Sequence, residues 1–94
     1  MKVIVIGAGA SGLIAAGAAA AADKVILLEK NNIIGKKLLI TGKGRCNITN
    51  SADTEDMISQ YPRNAKFLYS ALYTFTNYDI IRIIEENGVR TKVE

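Results

Sequence analysis

The sequence predicts an α/β fold that begins with a strand–helix–strand unit, and three observations support this prediction. Lys2–Ile6 is a short run dominated by β-branched residues, as expected of a buried parallel strand. A glycine-rich turn, Gly7–Gly12, follows at once and opens a helix of small residues that is expected to end near Ala22. Val25–Leu28 is a second apolar run, so one right-handed βαβ crossover is complete within the first 29 residues.

After the second strand the chain is predicted to form first a long loop and then helices. Residues 31–50 are rich in glycine, asparagine and basic residues, which indicates a long functional loop with little regular structure. Two to three helices follow, with a short acidic one after Asp53 and a longer one over Asn64–Phe75. The chain therefore divides into residues 1–50, a cofactor-binding unit and its loop, and residues 51–94, a mainly helical segment.

The last helix is expected to begin at a cap formed by Thr76 or Asn77 and to stop at Gly88. Val89–Glu94 then alternates apolar and polar residues, which predicts a terminal strand. The parallel sheet would be incomplete, because a doubly wound sheet needs about five or six strands. The chain is accordingly expected to be the N-terminal part of a larger protein, with an unpaired sheet edge through which it could self-associate.

The glycine-rich turn matches the pattern G-x-G-x-x-G and lies between a strand and a helix, where each glycine has a structural role. Gly7 permits a tight turn out of the strand, Gly9 lets a pyrophosphate approach the backbone, and Gly12 allows the helix to pack closely on the sheet. Because the helix N-terminus offers unpaired N–H groups and a partial positive charge, it suits phosphate groups. The predicted phosphate-binding residues are Gly7, Ala8, Gly9, Ala10, Ser11 and Gly12.

Glu29 ends the second predicted strand, 22 residues after Gly7. A carboxylate at this point can accept hydrogen bonds from the two ribose hydroxyls of an adenosine, and it repels a 2′-phosphate. The turn and the acid together predict a Rossmann-like unit that binds the ADP part of a dinucleotide other than NADP. These two features do not distinguish FAD from NAD.

Composition and charge exclude several other classes of protein. The net charge is +3, and residues 30–45 carry five basic residues and no acid, a focus that suits a small polyanion better than a nucleic acid. No apolar run is long enough to span a membrane. The absence of histidine argues against a metal site or a histidine-based triad. The single cysteine, Cys46, is expected to pack as a small buried residue in a cytoplasmic protein.

The segment Gly35-Lys36-Lys37-Leu38-Leu39-Ile40-Thr41-Gly42-Lys43-Gly44-Arg45-Cys46-Asn47-Ile48-Thr49-Asn50 is the most specific stretch of the chain. Together with the glycine turn, Glu29-Lys30 and the later run Tyr61–Leu72, it resembles a family of bacterial FAD-dependent oxidoreductases. These are the flavoproteins called NAD(FAD)-utilising dehydrogenases or aminoacetone-oxidase-like enzymes, which include the BaiN-type bile-acid reductases. The resemblance extends over essentially the whole chain.

The resemblance implies that FAD is the cofactor and that the second loop runs beside it. Besides Glu29, the predicted cofactor-binding residues after the glycine turn are Lys30, Lys36, Lys37, Thr41, Gly42, Gly44, Arg45, Cys46 and Asn47. It also implies that NAD(P)H or a small organic substrate meets the flavin in the full-length protein, while the catalytic residues stay unknown. The 94-residue chain alone is expected to bind FAD weakly and to have no turnover, because the sheet is incomplete. Two alternatives are open: an NAD-binding dehydrogenase module, and a non-catalytic fragment completed by another chain.

Overall fold

A computed structural model describes all residues from Met1 to Glu94, which form two compact units, Met1–Asn47 and Ile48–Glu94. The first unit contains two strands, two helices and a 3-10 turn, in the order β1 (Lys2–Ile6), α1 (Ala10–Ala20), β2 (Lys24–Leu28), α2 (Lys36–Ile40) and the turn Thr41–Gly44. The second unit contains three helices, α3 (Thr54–Ser59), α4 (Ala65–Thr74) and α5 (Asn77–Glu86).

The sheet of the first unit consists of β1 and β2, which pair in parallel from Lys2 opposite Lys24 to Ile6 opposite Leu28. Helix α1 packs on both strands. Side chains alternate along each strand between half-buried and exposed positions, so that Ile4 and Ile6 of β1 are 60% and 84% exposed. One face of the sheet is thus open, and the predicted α/β class with an incomplete parallel sheet is confirmed.

The prediction of an irregular loop over residues 31–50 is wrong in one part, because α2 lies within it. Gly35 precedes this helix with φ of 63°, in the left-handed region that glycine reaches without strain, and its carbonyl accepts a bond from Leu39 N–H at 3.1 Å. Lysine and leucine are good helix formers, so the sequence that follows sustains a short helix.

The prediction of a strand over Val89–Glu94 is also wrong. The N–H of Val89 instead turns back to the carbonyl of Ile84 at 3.2 Å, and the hydroxyl of Thr91 donates to the carboxylate of Glu85. Gly88 has φ of 87° and ends the helix as predicted. Alternating residues favour a strand only where a neighbouring strand can pair with them, and this segment has none.

Side-chain caps fix the starts of two helices in the second unit. Asp53 accepts from Asp56 N–H at 2.9 Å and caps α3. Thr76 and Asp79 form a reciprocal capping box at the start of α5, in which the Asp79 carboxylate accepts from Thr76 N–H at 2.8 Å. Hydrogen bonds from the backbone and side chain of Thr76 lower the pKa of Asp79, so this carboxylate is ionised at neutral pH.

Asn77 is the most buried polar residue of this unit, with 4% of its surface exposed. Its side-chain amide donates to two backbone carbonyls, of Asn50 at 2.7 Å and of Ala52 at 2.9 Å. Both bonds tie the chain before α3 to the start of α5. Because these carbonyls lose their donor when the amide is removed, Asn77 is expected to contribute more to the free energy of unfolding than its size suggests.

We expect Asn77→Ala to lower the free energy of unfolding by about 2 kcal/mol, since two hydrogen bonds are lost and their acceptors are left unpaired. Asn77→Asp keeps the shape but places a carboxylate against two carbonyl oxygens, so its cost should be larger at pH 7 than at pH 3. Urea denaturation followed by circular dichroism measures both. Equal stabilities of the Asp variant and the parent at pH 7 would contradict the role of the amide.

Candidate functional site

The glycine turn joins β1 to α1 in a conformation that depends on its first and last glycines. Gly7 has φ of 95°, and its N–H donates to Leu28 O at 2.7 Å, which extends the contact between the strands by one residue. A Cβ on Gly12 would lie 1.8 Å from the carbonyl oxygen of Gly7, so no side chain fits there. The helix can approach the turn this closely only because residue 12 is glycine.

Gly9 shows the opposite environment. A Cβ built at this residue would meet no atom within 4 Å, so the space in front of the backbone is open. Gly9 is also the N-cap of α1 and carries no side chain to cap it. The N–H groups of Ala10, Ser11 and Gly12 lie in the first turn of α1, where a helix has no internal acceptors for them. The turn thus offers donors beside open space, as a phosphate group requires.

Ala8 is held from both sides and is only 1% exposed. Its N–H donates to Glu29 Oε2 at 2.7 Å, and its carbonyl accepts from Gly35 N–H at 2.7 Å. Both partners belong to the segment that follows β2, and Gly35 is itself buried. These two hydrogen bonds, from Ala8 to Glu29 and from Gly35 to Ala8, are called the clamp below. The clamp fixes the glycine turn before any ligand binds, and it engages the N–H of Ala8 within the chain.

Glu29 lies half-buried directly after β2 and uses both of its carboxylate oxygens within the chain. Oε2 accepts from Ala8 N–H, while Oε1 accepts from Asn31 N–H at 3.0 Å and from Asn31 Nδ2 at 2.9 Å. Bonds from the backbone of Asn31 and then of Ala8 lower the pKa of Glu29 below its ordinary value of 4.5, despite partial desolvation. The side chain is therefore a fixed anion at neutral pH.

The basic segment, residues 30–45, begins directly after Glu29 and then turns along the surface. Lys36 and Lys37 directly follow Gly35 and are exposed, as is Lys30. Farther along, the Thr41 hydroxyl donates to Leu38 O at 2.8 Å and ends α2. Of the five basic residues in the stretch 30–45, the first three, Lys30, Lys36 and Lys37, lie nearest Glu29 and Gly35 along the chain.

Two glycines shape the remainder of this segment. Gly42 and Gly44 have φ of 66° and 91°, and a Cβ on Gly42 would lie 3.2 Å from Asn47 Oδ1. The N–H of Arg45 donates to Gly42 O at 3.0 Å and closes the turn. Cys46 is exposed, so the prediction that it packs as a buried residue is wrong. The Thr41 hydroxyl lies 4.0 Å from its sulfur, so a polar group is beside the thiol.

The structure therefore brings together the glycine turn, Glu29 and the start of the basic segment. Sequence reasoning missed Asn31 and Gly35, which hold Glu29 and Ala8. The signal for Gly35 was a glycine, an accepted N-cap residue, placed immediately before a run of helix-forming residues. The cofactor contacts assigned to individual residues of the two loops stay predictions. The open backbone at Gly9, the helix N-terminus and the ionised Glu29 fit the pyrophosphate and ribose of a dinucleotide.

No group of three or more His, Cys, Asp or Glu side chains is placed to hold a metal ion. None of the helices combines the length and the apolar character needed to cross a membrane.

Three curated relatives show sequence similarity over almost the whole chain. A Haemophilus influenzae protein named "Ribosomal RNA dihydrouridine synthase" is 41% identical over 88 residues, which cover 92% of this chain and 21% of the relative. The Escherichia coli protein of the same name is 38% identical, with coverage of 92% and 21%. The "3-dehydro-bile acid delta(4,6)-reductase" of Clostridium scindens is 38% identical over 94 residues, with coverage of 97% and 22%.

The chain thus spans about a fifth of the length of the curated relatives it matches. The family described as "HI0933-like protein Rossmann domain" matches residues 1–94, which confirms both the predicted Rossmann-like fold and the resemblance to bile-acid-reductase-type flavoproteins. The chain belongs to the HI0933-like Rossmann-domain family of flavoproteins.

Proposed function

We propose that this chain binds the ADP portion of FAD and serves as the FAD-binding part of a flavin-dependent oxidoreductase. The observation that carries the proposal is the clamped glycine turn. Ala8 is bonded on both sides, Gly9 faces open space, and the ionised carboxylate of Glu29 is attached to the same turn. A site held in place before binding loses less conformational entropy when the ligand arrives.

The residues of the turn would each act on a different part of the ligand. The first N–H groups of α1 would donate to the pyrophosphate, and the partial positive charge of the helix would support them. Glu29 would accept from the adenosine ribose, with a charge that disfavours a 2′-phosphate. Lys36 and Lys37, which follow the clamp, would offset the negative charge of the phosphates.

The choice of FAD over NAD depends on the segment from Lys36 to Asn47. The backbone turns at Gly42 and Gly44 through positive φ angles, and Arg45 adds a cation in the exposed stretch that follows. These features suit a flavin ring and its ribityl chain, whereas an NAD-binding unit has no need of them. Membership of a flavoprotein family supports the same choice. When bound, FAD would supply hydride transfer, and the protein supplies its binding and orientation.

We also propose a reaction class for the full-length protein, based on the names of the relatives. Formation of dihydrouridine saturates a carbon–carbon double bond of uridine, and a Δ4,6-reductase of a 3-dehydro bile acid saturates a double bond of a steroid. In both substrates the double bond is conjugated to a carbonyl group. The proposed activity is therefore reduction of a conjugated carbon–carbon double bond, with NAD(P)H as the expected electron donor.

The sequence prediction that no nucleic acid is a partner stays a prediction for this chain. Two of the relatives are named for a reaction on ribosomal RNA, so RNA is a second candidate substrate beside a small unsaturated ketone. Assays of the full-length protein with NADPH and each substrate separate them. A cytoplasmic location suits both candidates and is part of the proposal.

Isothermal titration of the 94-residue chain with FAD, NAD, ADP and 2′-phosphorylated ADP tests the binding proposal. We expect FAD and ADP to bind, and the 2′-phosphorylated ligand to bind about tenfold more weakly, because its extra charge meets Glu29. Tighter binding of NAD than of FAD would favour the dehydrogenase alternative. No binding of ADP, or a preference for the 2′-phosphate, would contradict the proposal.

A further inference from the structure

Asn31 holds the carboxylate that the proposed site uses for the ribose. Its backbone N–H and its side-chain Nδ2 both donate to Glu29 Oε1, at 3.0 and 2.9 Å. Asn31 follows Glu29 by two residues and is exposed, so its side chain lies at the surface where a nucleotide would approach. No sequence motif singled it out.

As a result, most of the hydrogen-bond acceptor sites of the Glu29 carboxylate are occupied. A carboxylate offers about four lone-pair sites, two on each oxygen. The two donors of Asn31 occupy those of Oε1, and Ala8 N–H occupies one on Oε2 at 2.7 Å. One acceptor site is left, on Oε2. An adenosine ribose carries two hydroxyl donors, which is one more than the carboxylate can accept in this state.

We propose that Asn31 is a positioning residue for Glu29 and that it limits the carboxylate to one of the two ribose hydroxyls. This inference rests on the proposed function, because it concerns recognition of the same adenosine. The side chain of Asn31 fixes the plane of the carboxylate and fills Oε1, so the ribose meets Glu29 through Oε2 alone. Without that side chain, Oε1 regains one acceptor site and both hydroxyls can bind.

Deoxy analogues of ADP provide the test, with the 94-residue chain as the parent. We expect one of 2′-deoxy-ADP and 3′-deoxy-ADP to bind about tenfold more weakly than ADP, and the other to bind within about threefold of ADP. In Asn31→Ala, both analogues should bind about tenfold more weakly than ADP. Asn31→Ser keeps a side-chain donor and should restore the difference between the analogues.

Asn32→Ala is the matched control, since Asn32 is the neighbouring exposed asparagine and makes no hydrogen bond to Glu29. This variant should behave as the parent does. Equal losses for both analogues in the parent, or the parent's difference retained in Asn31→Ala, would overturn the inference while ADP binding itself upholds the proposed function. Absence of ADP binding to the parent contradicts the proposed function and this inference together.

A second measurement needs no nucleotide. Carbon-13 NMR titration of the Glu29 carboxyl reports its pKa, which is lowered by each donor that the carboxylate accepts. The pKa of Glu29 should rise in Asn31→Ala, where one of its donors is lost, and should not change in Asn32→Ala. An unchanged titration in Asn31→Ala would overturn the positioning role, whatever the nucleotide affinities are.

Discussion

Gly12→Ala is expected to lower the free energy of unfolding by about 3 kcal/mol and to abolish measurable binding of ADP. The added Cβ would lie 1.8 Å from the carbonyl oxygen of Gly7, a backbone atom that has no side-chain freedom with which to yield. Either α1 moves away from the turn or the turn itself shifts. Both movements displace the first-turn N–H groups from the open space in front of Gly9.

Gly17→Ala is the matched control, because Gly17 lies in the same helix and a Cβ there meets no atom within 4 Å. Alanine is the better helix former, so this variant should be more stable than the parent by about 0.5–1 kcal/mol and should bind ADP equally well. Urea denaturation and isothermal titration of the pair measure both effects. Similar stability of the two variants would show that the close approach at Gly12 is not needed.

The different roles of Gly12 and Gly9 in the turn could be predicted from the sequence. The pattern G-x-G-x-x-G after a β-branched run predicted that Gly12 permits close packing and that Gly9 leaves space for a ligand. The structure has the close approach at Gly12 and open space at Gly9, while the contact of Gly9 with a ligand stays a prediction. Such roles are predictable because they follow from local geometry that one short motif imposes, wherever in a protein it occurs.

The clamp on Ala8 could not be predicted in the same way. Its partners, Glu29 and Gly35, lie 21 and 27 residues away, and their hydrogen bonds depend on where the chain returns after β2. The exposed Cys46 and the missing strand at Val89–Glu94 have a related cause. Burial and strand pairing depend on neighbours, and periodicity within a segment does not report which neighbours that segment meets.

Glu29→Gln is expected to weaken binding of ADP by about 10- to 100-fold, because a charged acceptor of ligand hydrogen bonds is lost. The effect should extend to the turn itself. Glutamine brings an amide donor to a position where Asn31 and Ala8 already present N–H groups, so at least one of the hydrogen bonds is replaced by donor–donor repulsion. Glu29→Asp tests the length of the side chain apart from its charge, since the shorter side chain keeps the anion but withdraws it from Ala8.

The pH dependence provides an independent test of the same carboxylate. Because the pKa of Glu29 is lower in the folded chain than its ordinary value, its stabilising contribution is complete above the unfolded value near 4.5. That contribution is lost as the pH falls through the lower, folded value. The parent should therefore lose stability more steeply on acidification than Glu29→Gln does, when unfolding is followed by circular dichroism between pH 7 and pH 2.

Glu86→Gln is the matched control, because Glu86 is an exposed glutamate in the last turn of α5 and undergoes the same change of charge. It should leave both the affinity for ADP and the acid sensitivity of the first unit as they are in the parent. If Glu29→Gln and Glu86→Gln had the same affinity for ADP, the carboxylate would not contact the nucleotide. If only the acid profile of Glu29→Gln changed, Glu29 would stabilise the glycine turn without recognising the ribose.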